Sequence, residues 1–355
     1  MGARLKNITV EKWTALALFV ILAILPMTTS LYTTQTFGRF ISYMILALAL
    51  DLLWGGAGLM NLGFAVFFGV GGYIVGISLA SQEGLPYFMK SAGMTKLPFF
   101  YKPLTSPAAA VALSILIPAL LALFLGYFIF TSKIKGVFFN IITLAFAALF
   151  ELFITNQQAY TGGSSGINGI AAGLSDITFF GQPISIQGWY YIALAALILV
   201  YLFCLWLLNG RFGKVINSVR DNEARLQFLG YNPAKFKMAV FAIAGALAGF
   251  AGALYIPMTS FISVDSAGVT FSTTILVWLA VGGRGNLTGA MVGALLVNIL
   301  SSQFSSNFGE MWQLILGVVL VVMVLFLPKG IMGSLMDIQY NRRIHKKYLA
   351  RSREE

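Results

Sequence analysis

The chain has 355 residues, of which 58% are hydrophobic and only 10% charged, and its net charge is +11. An average soluble domain carries roughly 25% charged residues, so this composition excludes an ordinary soluble protein and indicates one that lies in lipid. Cys204 stands alone inside an apolar run and His345 is the only histidine. A disulfide framework, a Cys-based metal site, a His-ligated haem subunit and a zinc intramembrane protease are therefore not expected, and no cofactor is predicted.

Ten apolar runs follow one another along the chain, and a run of about 20 such residues is long enough to cross a bilayer as a helix. The sequence thus predicts an all-α, polytopic integral membrane protein with about ten transmembrane helices, within a range of eight to ten. Two runs, 40–54 and 269–281, are short or polar at one edge, so either could be a broken or re-entrant element rather than a simple span. The ten runs are residues 13–31, 40–54, 57–80, 108–130, 137–155, 189–208, 238–255, 269–281, 287–304 and 311–327.

Loop charges predict the orientation. When the ten runs alternate in direction, 19 of the 23 Lys and Arg residues fall on one side of the membrane, which marks that side and both termini as cytoplasmic. The other side holds only Arg39, Lys90, Lys96 and Lys102. Most of the positive charge therefore reflects membrane topology. The basic cytoplasmic tail at 329–355 can also attract anionic lipid headgroups. Nucleic acid is not an expected partner.

Residues 210–237, here called the coupling segment, form the most informative stretch outside the apolar runs. Its apolar side chains fall near one helical face, which predicts an amphipathic surface helix that stops at Gly230. Asn232 and Pro233 then suit the start of the next helix. Two interpretations remain open: a coupling helix that docks on a soluble ATPase, or an interfacial helix that lies on lipid. The chain has no phosphate-binding loop of the Walker A type, so it is not itself the ATPase.

Glycines give a second signal. Spacings of four residues at Gly245 and Gly249, and at Gly289 and Gly293, predict helices that approach one another closely. Residues 57–64, which combine several glycines with Asn61, also permit a bent or interrupted helix that lines a solute path.

Few ionisable groups lie at membrane depth. Asp51 and Glu151 could both reach the interface by snorkelling, and Glu151 is favoured as a structural or path-lining group. Arg284 predicts a cytoplasmic turn.

Two external loops, 81–106 and 156–188, lack hydrophobic periodicity, and the second is a candidate contact for a substrate-delivering protein.

Several of these stretches carry a family resemblance. Most of the chain resembles the branched-chain amino acid type (LivM-like) of ABC permease, whose Gly-rich span matches the run 61–73. Five features look more like the urea branch of that family: the GGY ending of this run, the insertion at 87–101, the stretch 126–145, RDNEARLQFLGY at 220–231, and the run 274–298, which contains VGGRG. Two departures are Phe64, where the family commonly has histidine, and GGSSG at 162–166, where urea members have GGNNG.

The resemblance implies a single transmembrane permease domain over 1–355 in the bacterial cytoplasmic (inner) membrane, which catalyses no reaction itself. It implies as partners a homologous second permease subunit, two cytoplasmic ATP-binding subunits and an external solute-binding protein. It also implies that the coupling segment contacts the ATPase. Its candidate contact residues are Gly213, Asn217, Arg220, Asp221, Asn222, Glu223 and Arg225.

Urea is the first choice of solute. A neutral amide needs hydrogen-bond acceptors and a donor, which Asn61, Asn140, Thr143 and Glu151 can supply if they face the path. A branched-chain amino acid permease is the alternative. A passive channel, an intramembrane enzyme and a respiratory subunit are more distant ones.

Overall fold

The computed structural model describes residues 2–82, 84–175, 178–179, 182–308, 311–326 and 330–334. Almost all of these residues are helical, so the predicted all-α membrane class is confirmed. The predicted basic tail lies outside the described residues except at 330–334. The α-helices in chain order are α1 (Gly2–Thr28), α2 (Leu31–Asp51), α3 (Ala65–Ala80), α4 (Tyr87–Ser91), α5 (Pro107–Thr131), α6 (Val137–Asn156), α7 (Gln158–Thr161), α8 (Ile170–Ser175), α9 (Ile186–Asn209), α10 (Arg211–Asp221), α11 (Glu223–Phe228), α12 (Pro233–Thr259), α13 (Val269–Gly282), α14 (Leu287–Phe308) and α15 (Met311–Phe326).

Within the described residues, six helices are long and apolar enough to cross a membrane, judged by length and composition. Each of the ten predicted runs contains one α-helix, because α1, α3, α13 and α15 occupy the remaining four. The six membrane-length helices are Leu31–Gly56, Pro107–Thr131, Val137–Asn156, Ile186–Asn209, Pro233–Thr259 and Leu287–Ser305.

The expectation of a short element at 40–54 is wrong. Helix α2 begins nine residues earlier than that run, at Leu31, where the Ser30 hydroxyl accepts a hydrogen bond from the Thr33 amide. Its last turn widens into a π-helix over Leu52–Gly56. The first turns of α2 are polar, so the hydropathy pattern detected only the later, apolar part of the helix.

Two other helices are short. The predicted interruption is confirmed, because residues 58–64 are not helical and α3 begins only at Ala65. The predicted short element at 269–281 is also confirmed, since α13 has 14 residues. At about 1.5 Å per residue, α3 and α13 each span less than a bilayer core of about 30 Å.

The two loops predicted to be external contain local structure that the pattern did not predict. A 3-10 helix covers Phe99–Thr105 in the first loop. In the second, the strands β1 (Thr178–Phe179) and β2 (Gln182–Pro183) form an antiparallel pair. A separate bridge joins Ile167 to Ile262 and ties this loop to the segment after α12.

Helix α12 lies at the centre of the core, packed mainly on α5, α3 and α2. Glycines allow these contacts. A Cβ at Gly249 would overlap the Ser114 carbonyl of α5, and a Cβ at Gly71 of α3 would overlap the Gly249 backbone. The second spacing acts in the same way, because a Cβ at Gly293 would overlap the Trp278 carbonyl of α13. The predicted close approach is confirmed at both places.

Gly249→Ala is expected to lower the thermal denaturation midpoint of the purified chain in detergent, because the added methyl meets fixed backbone; overpacking of this kind costs about 1–3 kcal/mol. Gly317→Ala is the matched control, since a Cβ at this α15 position meets open space. Equal midpoints for the two variants would contradict the packing described here.

Candidate functional site

Helix α10 is amphipathic and lies against the end of α9 and the π-helix. Its buried face carries Gly213, Ile216 and Val219. A Cβ at Gly213 would overlap the Leu208 backbone, so glycine is what lets α10 fold back onto α9. Asn217 is half-buried on the same helix.

The coupling segment contains two helices rather than the single helix predicted. Asn222 adopts an extended conformation (φ −161°), and its side chain accepts a hydrogen bond from the Arg225 amide at 3.0 Å. An asparagine side chain that caps the next helix in this way favours an extended backbone at its own position, which ends the preceding helix. The chain therefore turns at Asn222 and starts α11.

The end of α11 exposes a cluster of apolar side chains. Phe228 is 92% exposed, and Leu229 and Tyr231 are also exposed. Asp221 and Arg225 are exposed as well. An apolar patch of this kind, bordered by charged groups, is typical of an interaction surface.

Arg220 connects α10 to the π-helix. Its Nη1 donates a hydrogen bond to the Gly55 carbonyl at 2.6 Å, and its Nε contacts Asp221 at 3.1 Å. The Arg220 side chain packs against Gly58, where a Cβ would lie 2.8 Å from Cγ and the backbone has φ +73°. A movement of α10 would therefore reach the start of the interruption directly.

Further contacts join the end of α2 and the π-helix to the turn between α13 and α14. Asp51 is only 2% exposed, and its Oδ1 accepts a hydrogen bond from the Gly285 amide at 2.6 Å. The Arg284 guanidinium lies over the Trp54 ring at 5.9 Å. Asp51 thus does not snorkel, and it is more deeply buried than Glu151, the group that the sequence favoured.

Glu223 links three elements through one carboxylate. Its Oε2 lies 2.8 Å from Lys135, in the α5–α6 turn, and 2.9 Å from Lys237, on α12. Burial alone would raise the pKa of the Glu223 carboxyl, but the hydrogen bonds from the two lysines outweigh burial and lower it. The ionised form therefore holds α11 to the ends of two membrane-length helices.

The interruption at 58–64 is held by its own Asn61 side chain and by side chains from two other helices. Asn61 is 1% exposed, and its Oδ1 accepts a hydrogen bond from the Gly63 amide at 2.8 Å. The Thr143 hydroxyl of α6 accepts from the Leu62 amide at 3.2 Å, and the Ser272 hydroxyl of α13 accepts from the Ala65 amide at 3.1 Å. Asn61 and Thr143 thus meet at the same break.

Of the other two candidate path residues, only Glu151 lies away from this break. Asn140 is half-buried, and its carbonyl accepts a hydrogen bond from Thr143. Glu151 stands eight residues beyond Thr143 on α6, about 12 Å along the axis, and its Oε2 accepts from the Val269 amide at 3.3 Å. Glu151 therefore caps the first turn of α13 and stands apart from the other three predicted residues.

Sequence reasoning missed several residues of this site. Gly55 and Gly285 act through their backbone, while Lys135, Lys237 and Ser272 act as partners of residues far away in the chain. Lysine next to an apolar run is read as a topology signal, so nothing local identifies Lys135 as a partner of Glu223.

Comparison with known proteins gives the class of the chain. Residues 32–324 match the family described as the permease component of branched-chain amino acid transport systems. The LivM permease of the high-affinity branched-chain amino acid transport system of Salmonella typhimurium is 26% identical, over 91% of this chain and 75% of that protein. A probable branched-chain amino acid transport permease LivM of Methanocaldococcus jannaschii is 30% identical, over 81% of this chain and 90% of that protein.

More distant similarity extends to sugar permeases. The ribose import permease RbsC of Haemophilus influenzae is 24% identical, over 62% of this chain and 68% of that protein. No solved structure matches the chain.

The apolar helices, the interrupted span and the amphipathic loop define a multi-pass permease of the cytoplasmic membrane. The chain belongs to the family of permease components of branched-chain amino acid transport systems. It is accordingly a transport subunit of the ABC type rather than an enzyme, and family membership displaces the passive channel that the sequence left open.

Glu223→Gln tests the ion-pair link through its pH dependence. Because the folded pKa of Glu223 lies below its ordinary value of 4.5, the link is fully present above that pH and is lost as pH falls through the folded pKa. We expect the variant to melt at a lower temperature than the unmodified chain at pH 7, with the difference shrinking below pH 4.5.

Asp265→Asn, which removes an exposed carboxylate held only by the Ser263 hydroxyl among the contacts found in the described chain, serves as the control and should show little difference. A Glu223→Gln difference that does not change with pH would argue against the ion pair.

Proposed function

We propose that this chain is a membrane-spanning subunit of an ABC importer for branched-chain amino acids. The observation that carries the proposal is the similarity to LivM permeases over 91% of the chain for one relative and 81% for another. The relatives described above are named for branched-chain amino acids and ribose. This favours the alternative that the sequence analysis kept open over urea, its first choice.

The chemistry of the solute fits the interrupted helices. A zwitterionic amino acid presents an ammonium and a carboxylate, and both need polar partners at membrane depth. Glu151 is half-buried beside the start of α13, where Thr270 and Thr273 are exposed. We propose that this polar strip, with Asn140, faces the path, while Asn61 and Thr143 hold the backbone that shapes it.

Partners follow from the same proposal. A second, homologous permease would cover the polar strip, two ATPases would engage the coupling segment, and an external binding protein would deliver the solute. The exposed Phe228 and Leu229 at the end of α11 support an ATPase contact there, because a patch of neighbouring apolar side chains exposed to water is typical of a protein interaction surface.

Coupling would run through two contacts. A partner that shifts α11 acts on α12 and the α5–α6 turn through Glu223, and on the π-helix through Arg220. Because π-helical turns and interrupted helices have alternative local arrangements, they are suitable elements for a switch between outward and inward access.

Uptake in cells with and without this gene tests the solute. We expect deletion to abolish uptake of labelled leucine and to leave labelled urea unchanged, because the relatives over most of the chain are amino acid permeases. Loss of urea uptake alone would overturn the choice of solute and restore the urea assignment.

Arg220→Gln tests the coupling contact. A hydrogen bond from a charged donor is worth about 1.5–3 kcal/mol, which corresponds to roughly tenfold or more, so we expect leucine uptake to fall at least tenfold with the protein still present in the membrane. Arg211→Gln, the same change at the exposed first residue of α10, should retain uptake. Equal uptake by both variants would rule out the Arg220 contact as the link.

A further inference from the structure

A cavity of about 370 Å³ lies beside the coupling segment and is distinct from the interrupted helix. Its walls come from the end of α5, the turn before α6, helix α11 and the first turn of α12. The charged residues that line it are Lys133, Lys135, Lys237 and Glu223.

The cavity carries an excess of positive charge. Lys135 and Lys237 both contact the same oxygen, Oε2 of Glu223, so one carboxylate is shared between two ammonium groups. Lys237 is only 7% exposed and cannot move its charge fully into water. Across the described residues no ion pair forms on Lys133. Three lysines against one glutamate leave two positive charges without a counter-charge.

The position of the cavity relative to the apolar surface points to its ligand. Three membrane-length helices end or begin at its wall, since α5 ends at Thr131, α6 begins at Val137 and α12 begins at Pro233. Large apolar side chains are exposed on the last turn of α5 and the first turn of α6, among them Phe128 and Phe138. The first turn of α12 adds the partial positive charge of a helix N-terminus. A ligand that is anionic at one end and apolar at the other would satisfy both surfaces.

We propose that this cavity binds the phosphate of an anionic phospholipid headgroup, whose acyl chains lie along the exposed faces of α5 and α6. Basic pockets between helix ends at the cytoplasmic surface are suited to such headgroups. The bound phosphate shares Lys135 and Lys237 with Glu223, so lipid and coupling segment act on the same two lysines. The site does not depend on which solute the permease carries.

Binding of short-chain lipids to the purified full chain in detergent tests the proposal. Dioctanoyl phosphatidylglycerol should raise the melting temperature in a saturable way, whereas dioctanoyl phosphatidylcholine and inorganic phosphate should not. Since a lysine near an anionic surface is worth about 1 kcal/mol, Lys133→Gln should weaken the phosphatidylglycerol affinity by about fivefold. Lys214→Gln, an equal change at an exposed position of α10 outside the cavity, should leave that affinity unchanged.

Each other result overturns the proposal in its own way. An equal shift with inorganic phosphate would make this an ion site without a lipid. Equal weakening by both substitutions would mean general surface charge. If phosphatidylcholine matched phosphatidylglycerol, the headgroup charge would be irrelevant. Both variants replace lysines on exposed segments, so a melting temperature close to that of the unmodified chain without lipid verifies their folding.

Discussion

A helix that is interrupted inside an apolar protein leaves backbone groups without their helical partners, and the rest of this structure depends on supplying those partners. In hydrocarbon an unsatisfied amide costs several kcal/mol, so the break at 58–64 is tolerated only where other side chains surround it. Asn61, Thr143 and Ser272 provide the hydrogen bonds, each from a different element. The start of α13 uses Glu151 in the same way.

These contacts join the interruption to the helices around it. The backbone from the π-helix to the first residue of α3 contacts α6 through Thr143, α13 through Ser272 and α10 through Arg220. The chain can therefore change shape at the break only if its neighbours move too. In a permease this is a useful property, since a force applied at the surface has to reach the solute path.

Close helix packing around α12 has the complementary role. Backbone contacts at Gly249 and Gly71 leave no space for side chains to rearrange, so α3, α5 and α12 form a rigid core beside the adjustable segments. The polar and charged contacts lie outside this core, at the ends of the short helices and at the coupling segment. Close glycine packing thus marks the rigid part, while the side chains of Arg220, Asp51 and Glu223 join the adjustable segments to it.

Much of this could be predicted from the sequence, and the reasons differ by feature. Hydrophobicity over about 20 residues is a local property, so it located an α-helix in each of the ten apolar runs, and glycine spacing predicted the close contacts of α12. The break near Asn61 was also predictable, because glycine clusters weaken a helix locally. The polar first turns of α2 and the helix end at Asn222 were missed, since in both cases a side-chain cap decided the boundary rather than hydropathy.

By itself the sequence determined the membrane class, the segments that become helices, the position of the interruption and the resemblance to a transport family, because each depends on residues adjacent in the chain. Only the tertiary structure decided which groups meet: Arg220 with Gly55, Asp51 with Gly285, Glu223 with two lysines, and Glu151 with the start of α13. These partners come from different segments of the chain. The residues around a charged or amide side chain near an apolar run do not indicate its partner. Helix packing determines which group it contacts.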